Sequence, residues 1–531
     1  MTTIDSPFAD SAPDPRRWRA LSVLALVQFM LILDVTVVNV ALPHIQADLH
    51  FSRSGLAWVV DGYVLMAGGF LLLGGRISDL VGRRRLFLAG TIVFGLASLT
   101  CGAAASSGML VASRFVQGLG EAMAAPAALG LVAVLFRDPR ERVKALGVWG
   151  GLAGLGGTVG TIISGALTNI SSGSWRLIFL VNIPVALFAV IALPRLVSES
   201  RATRSRTRQR PDVLGAVTAT AGLSGLVYGF LRAGEVAWGS VSVLLPLVGG
   251  AALLAAFVAI ERVAREPLVP LRFFRNRTRV TTNGVTVLFS AAFFAYFYLQ
   301  TLYLQQVLHW SALKTGLSYV PFGIAISLAI GLATVLIPKL GVKILMTVGF
   351  TLSAAGVLLL TRISVDGSYL TQVLPPMLIL GAGAGLCFPG FGNAALHEVS
   401  GQDASLASGV QNAGQQVGGA IGLAVLVTLA TRSLTHAVAR GTSVAAAATH
   451  AYAMAFAVSA GILALGAVLV AVFLSHTIRA PQPADVLPEG VVSDAVSDGR
   501  SGEVRLRTLE PFTVDEHVDL LVVKGDQARN R

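Results

Sequence analysis

Apolar runs of about twenty residues recur along almost the whole chain and are separated by short polar segments. Runs of this length cross roughly 30 Å of hydrocarbon as α-helices. The mean hydropathy is +0.72 and only 13% of the residues are charged, a balance that a water-exposed surface of this size does not tolerate. Stretches such as 21–33 and 462–474 are almost continuously apolar, whereas the strands of a membrane barrel alternate. The sequence therefore predicts an all-α integral membrane protein.

Hydropathy and the Gly and Pro breaks predict fourteen membrane helices, which are numbered here in chain order. Their predicted spans are 20–42, 56–75, 86–105, 109–133, 143–167, 176–194, 212–233, 241–260, 281–305, 315–337, 343–361, 370–395, 404–431 and 451–475.

Two polar linkers divide these helices into groups. An Arg-, Ser- and Thr-rich segment, 198–211, follows the first six helices, and a second linker, roughly 261–279, precedes the last six. Two additional helices lie between the linkers, an arrangement compatible with internally repeated transporter halves. We therefore expect the following organisation: a cytoplasmic N-terminus at 1–19, a six-helix bundle at 20–194, linkers with two additional helices at 195–280, a second six-helix bundle at 281–476 and a cytoplasmic tail at 477–531.

The distribution of basic residues predicts the orientation. The net charge is +12, but the arginines cluster beside helix ends and do not form one basic face, which argues against nucleic acid as a partner. With a cytoplasmic N-terminus, the inside loops and flanks up to Arg479 hold 26 Lys and Arg residues and the outside loops hold seven. By the positive-inside rule, both termini are expected in the cytoplasm. The 35 Arg against 5 Lys residues and the abundant Ala and Gly indicate a GC-rich bacterial genome, so the expected location is a bacterial plasma membrane.

Charged residues inside the predicted helices are the main candidates for function, because an Asp at a helix centre costs about 2.5–3.5 kcal/mol on insertion scales. Asp34 lies roughly 12 Å below the outer end of helix 1, and Arg114 lies about 8 Å below that of helix 4, so the two charges can share a layer. Arg114, Gln117, Gly118 and Glu121 form one polar stripe that is expected to face a cavity. Asp34 and Glu121 are the predicted proton carriers, with Arg114 as partner; the alternative is a buried pair that only fixes helix 1 against helix 4.

Further polar and aromatic residues are candidates for a substrate cavity. Asp61 is predicted near the outer mouth of helix 2, within reach of water. Helix 9 carries many aromatic rings that can bind flat or cationic apolar solutes, and helix 13 carries four amides. Packing stripes and interhelical hydrogen bonds are the alternative roles. The predicted cavity residues are Asp61, Gln117, Phe293, Tyr296, Phe297, Gln300, Asn412 and Gln415.

Several kinds of chemistry find no support in the sequence. Cys101 and Cys387 both fall within apolar runs, which argues against a disulfide framework and a metal site. The nucleotide-binding pattern Gly-x-x-x-x-Gly-Lys-Ser/Thr is missing from the sequence. We therefore expect no cofactor and no enzymatic activity, and an ion gradient as the energy source.

The loop between helices 2 and 3 reads Gly75-Arg-Ile-Ser-Asp79-Leu-Val-Gly82-Arg83-Arg84-Arg85 and resembles the signature loop of the major facilitator superfamily. The resemblance implies a gating role for Gly75, Asp79, Gly82, Arg83 and Arg84, in which the carboxylate and the arginines form a charge latch that stabilises one access state. A cluster that only determines topology is the alternative, and both roles are compatible.

Other motifs are similar to those of the fourteen-helix drug:proton antiporter family, over roughly residues 17–476. They include Leu33-Asp34-Val-Thr36-Val-Val-Asn39 in helix 1 and Arg114-Phe-Val-Gln117-Gly118-Leu-Gly120 in helix 4, the motif that the resemblance assigns to proton coupling. The family motif of helix 5 ends in Gly-Pro-x-x-Gly-Gly, whereas this chain reads Gly160-Thr161-Ile-Ile-Ser164-Gly165. A proline at position 161 would kink helix 5, and this chain lacks it. The sequence therefore predicts transport more firmly than strict antiport.

Together these observations predict a proton-coupled efflux transporter of multiple drugs or antibiotics, acting on hydrophobic or amphipathic compounds that include cations. Its expected partners are small-molecule drugs or secondary metabolites, protons and the lipid bilayer, with the chain acting as a monomer. A proton-coupled importer of a metabolite is an alternative with the same fold. A membrane sensor or scaffold that transports nothing is an alternative of a different class.

Overall fold

The structure is a computed structural model, and the residues that it describes lie within the compact unit Met1–Arg479. Among the described residues every regular element is a helix, as predicted. The described residues are 16–136, 141, 145, 159–160, 162–168, 170–171, 173–197, 212–264, 267–269, 271–395 and 404–474.

The helices follow the predicted order closely. Thirteen helices in the described ranges are long and apolar enough to cross a membrane. The predicted helix 5, 143–167, lies largely outside the described residues. With α5 as the label for the helical residues 162–168, the elements are α1 Arg17–Leu49, α2 Arg53–Val81, α3 Arg83–Gly102, α4 Ser107–Leu135, α6 Ser174–Leu196, α7 Val213–Ala233, α8 Val241–Val263, α9 Arg277–Val307, α10 Ala312–Leu340, α11 Val342–Arg362, α12 Tyr369–Ala395, α13 Ala404–Ala439 and α14 Val444–Phe473.

Helix α1 is longer than predicted at both ends. The predicted span was 20–42, but the helix continues past Pro43 to Leu49 and ends where His50 adopts a left-handed conformation (φ 53°). Hydropathy follows the apolar surface and not the backbone, so it misses helical turns that project beyond the hydrocarbon. The end of the bundles at which α1 finishes is called the distal end below, and the end at which α1 begins is the proximal end.

The long helices pack into two groups. In the first, α4 packs on α2 and α3, and α6 packs on α1 and α3; in the second, α12 packs on α10 and α11, and α13 and α14 pack on α9. Small residues permit these close approaches. Gly349 of α11 and Gly383 of α12 face each other, and a Cβ atom on Gly383 would lie 2.5 Å from both the Gly349 carbonyl oxygen and the Ser353 backbone nitrogen.

This contact leads to a stability prediction. Gly383→Leu will prevent α11 and α12 from packing, because backbone atoms cannot move aside as a flexible side chain can, and overpacking costs about 1–3 kcal/mol or more. We expect little or no monodisperse protein in size-exclusion chromatography of the detergent-solubilised variant. Gly331→Leu in α10 is the matched control, since a Cβ atom at Gly331 has no neighbour within 4 Å. Equal yields of the two variants would contradict the predicted packing constraint.

Helices α7 and α8 form a hairpin that lies against both bundles at the distal end. Helix α7 packs on α2 and on α13, whereas α8 packs mainly on α7. The Thr428 hydroxyl of α13 donates to the Phe230 carbonyl (2.5 Å), and Arg432 donates to the carbonyls of Ala233 and Val236. These bonds attach the turn of the hairpin to the second bundle. The Ser52 hydroxyl, at the N-cap of α2, donates to Glu235 (2.8 Å) and attaches the same turn to the first bundle.

The proximal end of the hairpin also contacts both bundles. The carboxylate of Glu261, near the end of α8, accepts the backbone N–H groups of Leu268 (3.2 Å) and Val269 (3.1 Å). Leu268 packs against Leu73 of α2, and Val269 packs in a cluster that includes Ala407 of α13. The two additional helices therefore bridge the seam between the bundles at both ends.

Candidate functional site

A buried ion pair joins α1 to α4 inside the first bundle. Arg114 donates to the carboxylate of Asp34 through Nη1, and each side chain is only 1% exposed. The predicted pairing of these two residues is confirmed. Two opposite charges that are both out of contact with solvent are rare in a membrane helix bundle, where such residues mark ion pathways and proton relays.

Amide and hydroxyl side chains complete a hydrogen-bond network around Asp34. Its Oδ1 atom accepts from Gln117 Nε2 (2.8 Å) and Asn182 Nδ2 (2.9 Å). The same two amides donate to Ser98 Oγ, at 2.8 Å from Gln117 and 3.3 Å from Asn182. The network thus draws on α1, α3, α4 and α6. A carboxylate with this many donors has its charge well compensated.

Arg114 has further partners that do not involve Asp34. Its Nε atom donates to the Val59 carbonyl (2.7 Å), and Nη1 donates to Gln117 Oε1 (2.7 Å). The guanidinium carbon lies 4.2 Å from the centre of the Tyr63 ring, within cation–π range. The cation therefore keeps favourable contacts when the Asp34 carboxylate is neutralised.

Glu121 lies two turns along α4 from Arg114 and is partly buried. Its Oε2 atom has no hydrogen-bond partner among the described residues, and its charge interacts with Tyr63, Asp34 and Arg114. The predicted stripe therefore faces the interior of the protein. Gln117, a predicted cavity residue, has no exposed surface, and its amide is occupied by the Asp34 network. Its contact with substrate stays a prediction.

Asp61 lies on α2 with no exposed surface. The prediction that water reaches Asp61 at the mouth of helix 2 is wrong, because neighbouring helices cover this turn of α2. The sequence indicates how deep a residue lies along a helix but not which helices pack against it. Both of its carboxylate oxygens lack a hydrogen-bond partner in the part of the chain that the structure describes. Asp61 is therefore a second buried acid, separate from the Asp34 network.

The predicted aromatic cavity residues of α9 lie together in the second bundle. Phe293 and Phe297 are partly exposed and their ring centres are 5.1 Å apart, whereas Tyr296 and Gln300 have no exposed surface. Further rings surround them from α9, α10, α11 and α12: Phe289, Tyr319, Phe322, Phe350, Phe388 and Phe391. On α13, Asn412 is exposed and Gln415 is partly exposed. Their contact with substrate stays a prediction.

The predicted gating loop turns at Gly82, whose φ of 118° is a conformation that favours glycine. A Cβ atom on Gly75 would lie 3.8 Å from the Pro126 Cβ atom. Arg83 donates to the Gly130 carbonyl (3.1 Å), and Arg84 donates to the Val197 carbonyl (2.8 Å), so these two arginines tie the loop to α4 and to the end of α6. The side chain of Asp79 lies outside the described residues, and the charge latch stays a prediction.

The two bundles contact each other in the distal half. Gln305 of α9 donates to the Val40 carbonyl of α1 (2.7 Å), and Gln306 donates to Gln46 (2.8 Å). A Cβ atom on Gly165 of α5 would lie 2.7 Å from the Ala312 carbonyl of α10. In the structure described here, the distal end of the seam between α1 and α9 is closed.

Ser164 occupies a position where the antiporter motif of helix 5 has glycine. Its side chain is fully buried, and its hydroxyl donates to the Val37 carbonyl of α1 (2.5 Å). Helix α5 therefore attaches to α1 one turn away from Asp34. This departure from the motif adds a hydrogen bond next to the ion pair.

Three members of the network were not predicted as site residues: Asn182, Ser98 and Tyr63. Each is a single polar side chain in an apolar span, and only the packing of α2, α3 and α6 brings them to Asp34 and Arg114. For Asn182 the sequence does carry a signal, because the stretch from Trp175-Arg176 to Asn182 is similar to a further motif of the fourteen-helix antiporter family. That motif gives no indication of the partner of Asn182.

Two helical bundles of membrane-spanning length, with a buried acid and its basic partner inside the first bundle, are characteristic of secondary transporters. A family comparison agrees: the model of the Major Facilitator Superfamily matches residues 24–423. The chain belongs to this superfamily.

Curated relatives include resistance and export proteins of Streptomyces and Amycolatopsis. The chain is 40% identical to the puromycin resistance protein pur8 of Streptomyces alboniger over 89% of this chain and 94% of that protein. It is 41% identical to the lincomycin resistance protein of Streptomyces lincolnensis, over 79% and 86%. Identity to the cephamycin export protein CmcT of Amycolatopsis lactamdurans is 37%, over 77% and 84%.

Solved structures share the fold at low sequence identity. A bacterial homologue of the human lysosomal transporter Spinster, in an inward-facing and unoccupied conformation, has a TM-score of 0.63 and 14% identity, over 88% of this chain and 100% of that chain. The inward open xylose transporter XylE from E. coli has a TM-score of 0.58 and 14% identity, over 86% and 96%. These similarities support the two-bundle architecture.

Proposed function

We propose that this protein exports hydrophobic or amphipathic antibiotics or other secondary metabolites in exchange for protons. The puromycin and lincomycin resistance proteins and the cephamycin export protein support this class of substrate. The observation that carries the proposal is the buried pair of Asp34 and Arg114, because a carboxylate at membrane depth can be protonated and deprotonated beside a guanidinium that keeps its charge, and intramembrane acids of this kind mark proton relays.

Protonation of Asp34 removes the negative charge that Arg114 faces. Arg114 stays bound to the Val59 carbonyl and to Gln117 and stays stacked on Tyr63, so the neutral state of Asp34 does not leave a bare cation. What changes is the attraction between α1 and α4. The bound proton can therefore shift the equilibrium between two access states, provided that it binds to Asp34 more tightly in one state than in the other.

The positive-inside rule favours a cytoplasmic location of both termini, and in the proposal the proximal end therefore faces the cytoplasm. The closed distal seam then separates the space between the bundles from the outside. In the proposed cycle, the protein binds its substrate from the cytoplasmic side, releases it outside when the distal seam opens, and carries a proton inward on Asp34. The energy comes from the proton gradient, with no cofactor, and the protein works as a monomer in the plasma membrane.

This proposal is tested in inside-out membrane vesicles that contain the protein. After respiration acidifies their lumen, addition of puromycin or lincomycin is expected to release protons, seen as recovery of the fluorescence of a quenched acridine dye. Vesicles without the protein, and vesicles pretreated with a protonophore, provide the controls. Drug accumulation that continues at the same rate after the protonophore would refute proton coupling.

A further inference from the structure

Tyr296 and Gln300 lie on the same face of α9, one turn apart. Neither side chain has exposed surface. The hydroxyl of Tyr296 and both polar atoms of the Gln300 amide have no hydrogen-bond partner among the residues that the structure describes. Buried polar groups are nearly always paired, so three unpaired polar atoms on one helical turn call for an explanation.

Neighbouring polar residues on the same helix are paired. Thr301 shares a hydrogen bond with the Tyr319 hydroxyl (3.0 Å), Gln305 donates to the Val40 carbonyl, and Gln306 donates to Gln46. Within the stretch 296–306 of α9, the polar atoms without a partner therefore belong to Tyr296 and Gln300. An unpaired amide lowers the stability of the unliganded protein, and residues that do so are typical of binding sites.

The surroundings of the pair are aromatic. The Tyr296 ring lies 5.2 Å from that of Phe297 and 6.0 Å from that of Phe322, and Phe297 is partly exposed. Among the described residues, the titratable groups that act electrostatically on Tyr296 are the phenols of Tyr319 and Tyr369. Around Tyr296, the described residues therefore favour a ring-bearing compound and include no carboxylate that would compensate a cation.

We propose that Tyr296 and Gln300 form a polar pair that selects uncharged, ring-bearing substrates with at least one hydrogen-bond donor and one acceptor. The inference rests on the proposed export function and narrows its substrate class. A matching substrate satisfies the free phenol and the free amide, whereas a permanent cation of the same size gains only ring contacts. A site that hydrogen-bonds its ligand discriminates strongly against analogues that lack the matching groups.

The test compares binding of two probes to the purified protein in detergent by equilibrium dialysis. Chloramphenicol is an uncharged aromatic amide with hydroxyl groups, and tetraphenylphosphonium is a permanent aromatic cation. We expect Gln300→Leu to weaken chloramphenicol binding about tenfold and Tyr296→Phe to weaken it several-fold, since each removes hydrogen bonds to the ligand. Binding of tetraphenylphosphonium is expected to stay unchanged in both variants.

Thermal unfolding of the unliganded protein supplies a second measurement. Gln300→Leu is expected to raise the midpoint temperature, because it replaces an unpaired buried amide by an apolar side chain of similar size. Gln305→Leu is the matched control on the same helix, and it is expected to lower the midpoint because the Val40 carbonyl loses its partner. A Gln300→Leu variant that is no more stable than the wild type would overturn the inference, whichever probe binds.

Failure of this inference can be distinguished from failure of the proposed function. If the protein binds tetraphenylphosphonium but not chloramphenicol, the proposed selectivity for uncharged substrates is wrong. Proton-driven export of the cation would still support the proposed export function. Equal losses for both probes in Gln300→Leu would likewise overturn the polar pair. Absence of proton-driven transport for every compound tried would instead count against the exporter itself.

Discussion

Asp34→Asn will reduce proton-driven export in proteoliposomes to the rate of protein-free liposomes. The asparagine has nearly the same shape and can still accept a hydrogen bond from Gln117 or Asn182, but it cannot take up a proton. Asp34 is 1% exposed and bonded to Arg114, so the substitution removes the proton-accepting carboxylate at the centre of this network. The measurement is the initial rate of drug movement after an imposed pH step.

The same substitution has a structural cost that must be separated from the transport defect. Removing one partner of a buried ion pair costs about 3–5 kcal/mol, although the other contacts of Arg114 reduce this for Asp34→Asn. A double variant, Asp34→Asn with Arg114→Gln, removes both charges, and we expect it to recover most of the thermal stability but no export. Recovery of stability without recovery of transport would assign the defect to the missing proton site.

Asp48→Asn is the matched control on the same helix. Asp48 pairs with Arg176 at the distal end, where the two side chains are 34% and 31% exposed. Such a pair contributes about 0–1 kcal/mol, so this variant is expected to fold and to export at close to the wild-type rate. Wild-type export by a folded Asp34→Asn protein would show that the proton takes another route, with Glu121 as the next residue to replace.

Cross-linking the distal seam will stop transport. Gln46 and Gln306 touch across the seam, but two glutamine side chains separate their Cβ atoms, which is too far for a direct disulfide. After substitution of both residues by cysteine, a short bifunctional methanethiosulfonate reagent is expected to join α1 to α9 and to abolish export. Reduction should restore it. The native Cys101 and Cys387 are buried, so they are protected from the reagent.

A pair within one bundle is the control for the cross-link. The Ser364 hydroxyl, in the loop between α11 and α12, donates to Gln372 Oε1 of α12 (3.1 Å), and both residues belong to the second bundle. The same reagent on Ser364→Cys with Gln372→Cys should leave export unchanged, because the two positions do not move relative to each other. If the Gln46 and Gln306 pair also transports at full rate once cross-linked, then the distal seam does not open during the cycle.

Hydropathy predicts the helices well because membrane insertion depends on the apolar surface of each span, a property that is local in sequence. The pairing of Asp34 with Arg114 could be predicted for a related reason. Two opposite charges at similar depths in the membrane offset the free-energy cost of their desolvation mainly by pairing with each other. The orientation of the termini and the identity of the substrate cavity depend on the membrane and on a bound compound, and they stay predictions.

Other parts of the site could not be predicted, because they depend on how helices rotate against each other. Asn182 reaches Asp34, and Ser98 reaches the two amides that bind Asp34, only because α6 packs on both α1 and α3. Asp61 was expected near water, since depth along a helix was the only available measure, but the neighbouring helices bury it completely. For a single polar residue in an apolar span, the partner of the side chain cannot be predicted until the packing of the neighbouring helices is known.

The hairpin of α7 and α8 has a consequence for how the bundles can move. Its turn is bonded to α13 through Thr428 and Arg432 and to α2 through Ser52, and its base contacts the same two helices. An element attached to both sides of a seam keeps its contacts only where the relative displacement is smallest. Opening of the distal seam between α1 and α9 would therefore rotate the two bundles about an axis close to α7, and the hairpin would stay in contact with both of them.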